Sequence, residues 1–143
     1  MSLAKVLLVD DEVPFVETIT KRLTKRNLEI VAAHSGREAL KLLESQTNIE
    51  VVILDVKMPG MDGIETLRTI KQMYPLVEVI MLTGHATVES AIDGMKLGAF
   101  DYLMKPCDLD VLVVKVGEGA AKKRQHEEKI IQARLKEITT RRA

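Results

Sequence analysis

Lys5-Val6-Leu7-Leu8-Val9-Asp10-Asp11-Glu12 decides how this chain is read: an unbroken apolar run ends abruptly in acidic residues. A short apolar run without alternation is the pattern of a strand buried on both faces, as in a parallel sheet covered by helices. The pattern returns at 51–54 and 77–82, each time followed by polar residues or glycine. Weaker segments at 29–33 and 101–104, the latter just before Lys105-Pro106, bring the expected strands to five.

Helical periodicity occupies the intervals. Phe15, Ile19 and Leu23 fall at i, i+4 and i+8, and Ile64, Leu67 and Ile70 at i, i+3 and i+6, so each set forms one apolar stripe. Ser35 with Glu38, and Asp62 with Glu65, have the spacing of a capping box, in which side-chain oxygens satisfy the free amides of a first helical turn. A fourth helix is expected over about 87–97, ended by Gly98, and a fifth from Asp108, whose carboxylate can cap the amides after Pro106. Strand and helix thus alternate five times with short connections. That order predicts an α/β fold, a doubly wound five-stranded parallel sheet with five helices and right-handed crossovers. In such sheets ligands bind beyond the carboxyl ends of the strands.

Composition narrows the function classes. With 143 residues and 46% apolar content, the chain can bury one core without staples. Charge balances at 21 basic against 21 acidic residues, which argues against a phosphate-neutralising surface, so no nucleic-acid contact is expected within this chain. Cys107 is the single cysteine and no Cys/His cluster is present, which excludes an internal disulfide and makes a zinc site a poor expectation. The apolar runs are too short to span a membrane, and a cytoplasmic location is expected.

The polar residues at the expected strand ends fall into one place: Asp10 and Asp11 after the first, Asp55 after the third, Thr83 after the fourth and Lys105 after the fifth. An aspartate at a strand end often only caps the next helix, but five such residues meeting at one edge point to a site. Clustered carboxylates repel unless a cation neutralises them. Mg²⁺ suits a sparse oxygen set completed by water and phosphate, whereas calcium wants more oxygens.

These segments carry a resemblance. Val6-Leu7-Leu8-Val9-Asp10-Asp11-Glu12, Ile53-Leu54-Asp55-Val56-Lys57-Met58-Pro59-Gly60-Met61-Asp62-Gly63, Met81-Leu82-Thr83-Gly84-His85 and Gly98-Ala99-Phe100-Asp101-Tyr102-Leu103-Met104-Lys105-Pro106 together resemble the receiver domain of bacterial response regulators in two-component systems, over about residues 4–117. The resemblance implies a flavodoxin-like strand order 2-1-3-4-5. It implies Asp55 as phosphoacceptor, and Mg²⁺ held by Asp10, Asp11, Asp55 and the backbone carbonyl of Lys57. It also implies Thr83, Gly84 and Lys105 as phosphoryl contacts, Tyr102 as the switch aromatic, and a cis Lys105-Pro106 peptide. Lys57 and His85 occupy the positions that tune dephosphorylation. The implied partners are a sensor histidine kinase or phosphotransfer protein and a second copy bound through the fourth helix, fifth strand and fifth helix. The chain is then a phosphoacceptor switch that promotes its own phosphorylation and dephosphorylation, not an enzyme acting on a separate substrate.

Rival classes fit less well. Aspartate-dependent phosphohydrolases need an acid/base aspartate two residues after the nucleophile, where this chain has Lys57, and a flavodoxin-like cofactor binder would need a phosphate-binding loop. The domain is expected to occupy 1–117, leaving 118–143 as a C-terminal helical extension or linker. That tail carries eight basic and four acidic residues. Ile131, Leu135 and Ile138 restore an apolar stripe after the polar stretch around Lys123, Arg124 and Glu127.

Overall fold

The computed structural model describes residues 2–58, 62–84 and 87–142. Five apolar segments pair as parallel strands: β1 (Ala4–Val9), β2 (Leu28–Ala33), β3 (Val51–Leu54), β4 (Glu78–Thr83) and β5 (Asp101–Met104). Their order across the sheet is β2-β1-β3-β4-β5. The helices between and after them are α1 (Val13–Thr24), α2 (Gly36–Ser45), α3 (Gly63–Met73), α4 (Val88–Lys96) and α5 (Leu109–Arg142).

Period-two alternation along the buried strands sends side chains to two separate cores. Leu7, Val9, Val52, Leu54, Val79 and Met81 meet Ala39 and Leu43 of α2 and Leu67 and Ile70 of α3. Val6, Leu8, Val51, Ile53, Ile80 and Leu82 meet Val16 and Leu23 of α1 and Leu112, Val116 and Ala120 of α5. Both faces being covered is the physical reason the strands read as continuous apolar runs.

Local chemistry sets the helix ends. The Ser35 hydroxyl accepts the Glu38 amide and the Asp62 carboxylate accepts the Glu65 amide, while the Glu38 carboxylate reaches one residue further back, to the His34 amide. Thr87 and Ser90 form a reciprocal capping box at α4. Gly98, at φ 101°, ends that helix: its amide reaches Met95 and the Ala99 amide reaches Gly94, both on carbonyls, in a Schellman arrangement. The Asp110 amide bonds the Asp108 carboxylate at the start of α5.

Helix α5 runs unbroken through Gly117 and Gly119. A Cβ on Gly119 would lie 3.4 Å from Val51 and 3.8 Å from the Phe100 ring, so this glycine lets the helix press close to the sheet. Glu78, 2% exposed at the start of β4, is neutralised by Lys71 and Lys122, each at 3.2 Å. Arg124 clasps the Glu50 carboxylate and donates to the Leu3 carbonyl. Beyond that clasp Ile130, Ile131, Leu135 and Ile138 are exposed. Ending the chain after Gly117 rather than after Gln125 is expected to lower stability by about 2 kcal/mol, because Ala120 packing is lost and the buried Glu78 keeps one partner instead of two. Urea unfolding of the two lengths checks this. Among the described residues no helix is long and apolar enough to cross a membrane.

Candidate functional site

The sheet's hydrogen-bond ladder continues one residue past three of the strands, to the candidate site residues Asp10, Asp55 and Lys105. The Asp10 amide bonds the Ala33 carbonyl, the Asp55 amide the Val9 carbonyl and the Lys105 amide the Thr83 carbonyl, at 3.1, 3.0 and 2.9 Å. Each side chain therefore starts from a rigid backbone at the carboxyl edge. There, oxygens of Asp10, Asp11 and Asp55 lie within 4.8 Å of one another, Asp10 and Asp55 buried and Asp11 exposed. Behind Asp55 the first turn of α3 abuts its backbone directly: a Cβ on Gly63 would overlap the Asp55 carbonyl oxygen and come within 2.5 Å of the Val56 Cα.

Lys105 bridges the cluster. Its ammonium donates to Asp10 Oδ2 at 2.6 Å and to Glu12 Oε1 at 3.3 Å, and stands 3.9 Å from Asp55 Oδ2. The other Asp10 oxygen accepts the Glu12 amide at 2.9 Å. Asp55 differs: its buried Oδ1 has no hydrogen-bond partner among the described residues. A buried carboxylate oxygen left unpaired is costly, and a ligand bound there would satisfy it.

The charges respond accordingly. Burial raises the Asp10 pKa above the usual carboxylate value, the Lys105 and Glu12 amide hydrogen bonds pull it back only in part, and the Asp55 charge adds to the rise. For Lys105 burial acts downward, but the hydrogen bond to Asp10 and the charges of Asp10 and Asp55 outweigh it, so the ammonium is held protonated above its ordinary value. The ammonium is a fixed countercharge at neutral pH. A hard cation suits the remaining oxygen-only donors.

The other expected residues are placed as follows. Thr83 is fully buried at the end of β4, and Gly84 is exposed, with open space where a Cβ would stand. Tyr102 is half-buried and shares a 2.9 Å hydrogen bond between its hydroxyl and that of Ser90, the residue that completes the α4 capping box. The Lys105-Pro106 peptide is cis. The Lys57 side chain is exposed two residues past Asp55. His85 lies outside the described residues, as do Pro59, Gly60, Met61 and Ala86.

Three neighbours of the cluster were not singled out from sequence: Glu12 and Phe15, which touch the Lys105 ammonium, and His34, whose Nδ1 lies 3.2 Å from the Asp10 carbonyl. Glu12 had a signal in its adjacency to the aspartate pair. Phe15 showed only as part of the α1 stripe, and His34 had no signal beyond its place just after β2.

Comparison with known proteins agrees with this geometry. The family model described as the response regulator receiver domain matches residues 6–117. An NtrX-like response regulator of Rickettsia bellii is 40% identical over 116 residues, covering 80% of this chain and 24% of that protein. The DNA-binding transcriptional regulator NtrC of Klebsiella pneumoniae is 38% identical over 109 residues, covering 76% and 23%. The chain thus spans about a quarter of the length of these curated relatives. A crystal structure of a response regulator receiver domain protein from Clostridium thermocellum superposes with a TM-score of 0.81 at 37% identity, covering 85% of this chain and 98% of that one. A parallel sheet in the order 2-1-3-4-5, an acidic edge with its lysine and a family match over most of the length have one common explanation: the chain belongs to the response regulator receiver domains of two-component signal transduction.

Proposed function

We propose that Asp55 is the phosphoacceptor and that phosphorylation there switches the surface around α4 and β5. The observation that carries this is the Asp55 carboxylate: buried, with one oxygen unpaired, inside a three-carboxylate cluster and 3.9 Å from a protonated lysine. One carboxylate oxygen attacks the phosphorus of the donor in line, forming an O–P bond as the bond to the leaving group breaks. With a sensor histidine kinase or phosphotransfer protein as donor, the leaving group is a histidine imidazole, which takes its proton from water. Asp10, Asp11, Asp55 and the Lys57 backbone carbonyl are proposed to hold Mg²⁺, which supplies charge neutralisation for the phosphoryl oxygens when bound. Lys105 donates to one phosphoryl oxygen as a point charge. The Thr83 hydroxyl and the Gly84 amide serve the others, the glycine leaving the approach clear.

Output follows from two arrangements of one element. Tyr102 rests with its hydroxyl on Ser90, so turning inward as Thr83 moves toward the phosphoryl group breaks that bond and loosens the start of α4. Ile92, Met95, Met104, Val111 and Val114 are exposed across α4, β5 and α5, an apolar face suited to a homodimer or protein partner. The family pattern ends at 117, while packing against the sheet continues to Arg124, so we place the free helical extension after that residue.

Incubating the protein with Mg²⁺ and acetyl phosphate tests the reading. Intact mass should rise by one phosphoryl group, in a hydroxylamine-labile linkage that needs the metal; a protein that stays unlabelled contradicts it. Decay of the same label probes Lys57 and His85, which are proposed to hinder the attacking water. Lys57→Asn is expected to lose phosphate severalfold faster, and equal rates would remove Lys57 from that role.

A further inference from the structure

The contacts of Lys105 reach past the aspartates to the first turn of α1. Its ammonium stands 4.0 Å from the centroid of the Phe15 ring. Two of its three N–H groups are committed, to Asp10 at 2.6 Å and Glu12 at 3.3 Å. The 3.9 Å to Asp55 Oδ2 is too long for a hydrogen bond. An aromatic face attracts a cation through its quadrupole, and the attraction grows where water is excluded. The Lys105 side chain is 13% exposed, so the ring acts on a largely desolvated charge. A ring also differs from a carboxylate in kind: it holds the ammonium's position while offering no lone pair.

On the reading that Asp55 accepts the phosphoryl group and Lys105 contacts it, we propose that Phe15 is a positioning residue for phosphoryl transfer. Its ring keeps the Lys105 ammonium one short step from the incoming phosphoryl oxygens without letting it pair with the carboxylate that attacks. A hydrogen bond from Lys105 to Asp55 would tie up a nucleophilic lone pair. An ammonium drawn wholly toward Glu12 and solvent would arrive late at the phosphoryl group. Phe15 also packs against the core on the α1 face, so the test must separate loss of the ring from loss of filling.

Phe15→Leu and Phe15→Met keep apolar volume without a ring, and Phe15→Tyr keeps the ring. In metal-free protein the ε-methylene protons of Lys105 should be shifted upfield by the ring current in wild type and Phe15→Tyr, and return to ordinary positions in the other two. With saturating Mg²⁺, the acetyl phosphate labelling rate should fall about three- to tenfold in Phe15→Leu and Phe15→Met and stay within about twofold in Phe15→Tyr. Wild-type rates in Phe15→Leu or Phe15→Met, an equal fall in Phe15→Tyr, or unshifted Lys105 protons in wild type would overturn the proposal while leaving the phosphoacceptor reading intact. A wild type that takes up no phosphoryl group overturns both.

Discussion

Asp55→Asn is expected to reduce labelling by acetyl phosphate by roughly two orders of magnitude or more, since an amide oxygen is no nucleophile at this site and the loss of such a group removes the reaction itself. The substitution keeps the side chain's shape and the Asp55 amide bond to Val9, which is backbone. It also removes one of three clustered negative charges, so the metal-free fold should be no less stable than wild type. Intact mass after labelling, set beside urea unfolding, separates the two effects: chemistry lost, fold kept. Residual labelling at the wild-type rate would place the acceptor elsewhere.

Gly63→Ala is expected to destabilise the protein by about 3 kcal/mol, at the upper end of what overpacking usually costs. The added methyl meets the Asp55 carbonyl and the Val56 Cα, both backbone atoms that no rotamer change can move aside. Either α3 or the segment carrying Asp55 must shift, so the variant should also label poorly. Gly117→Ala provides the contrast. Nothing lies within 4 Å of a Cβ there, and alanine in a helix interior should stabilise by about 0.5–1 kcal/mol. A urea midpoint for Gly63→Ala at or above that of wild type would refute the close approach at Gly63.

Much of this architecture was legible because burial on both sheet faces writes itself as uninterrupted apolar runs. Residues 51–54 and 101–104 coincide with β3 and β5, and the expected strand at 77–82 is displaced by one, to Glu78–Thr83. The displacement has a physical cause: the Val77 amide closes a turn on the Tyr74 carbonyl, while Thr83, polar but buried, still pairs with Met104 of β5. Helix α5 was harder to read. Its two glycines and the polar stretch at 122–124 interrupt the apolar stripe, yet Gly119 serves close packing, and Lys122 and Arg124 face the carboxylates of Glu78 in β4 and Glu50 just before β3.

At the acidic edge the residue types were readable from strand ends, whereas their pairing was not. That Lys105 rests on Asp10 and Glu12 instead of Asp55, above the ring of Phe15, depends on where α1 begins relative to β5, a relation between segments some 90 residues apart. The hydrogen bond from Tyr102 to Ser90 is likewise set by how α4 lies on β5, and no local pattern announces it.

On the proposed function, Asp10, Asp11 and Asp55 act together on one divalent cation. Titrating isotope-labelled protein with Mg²⁺ and following its backbone amides tests this joint action. Saturable shifts centred on Asp10, Asp11, Asp55 and Lys57, lost in Asp11→Asn, are expected. Shifts that grow linearly and scatter over the acidic surface, or a titration unchanged in Asp11→Asn, would contradict the joint action.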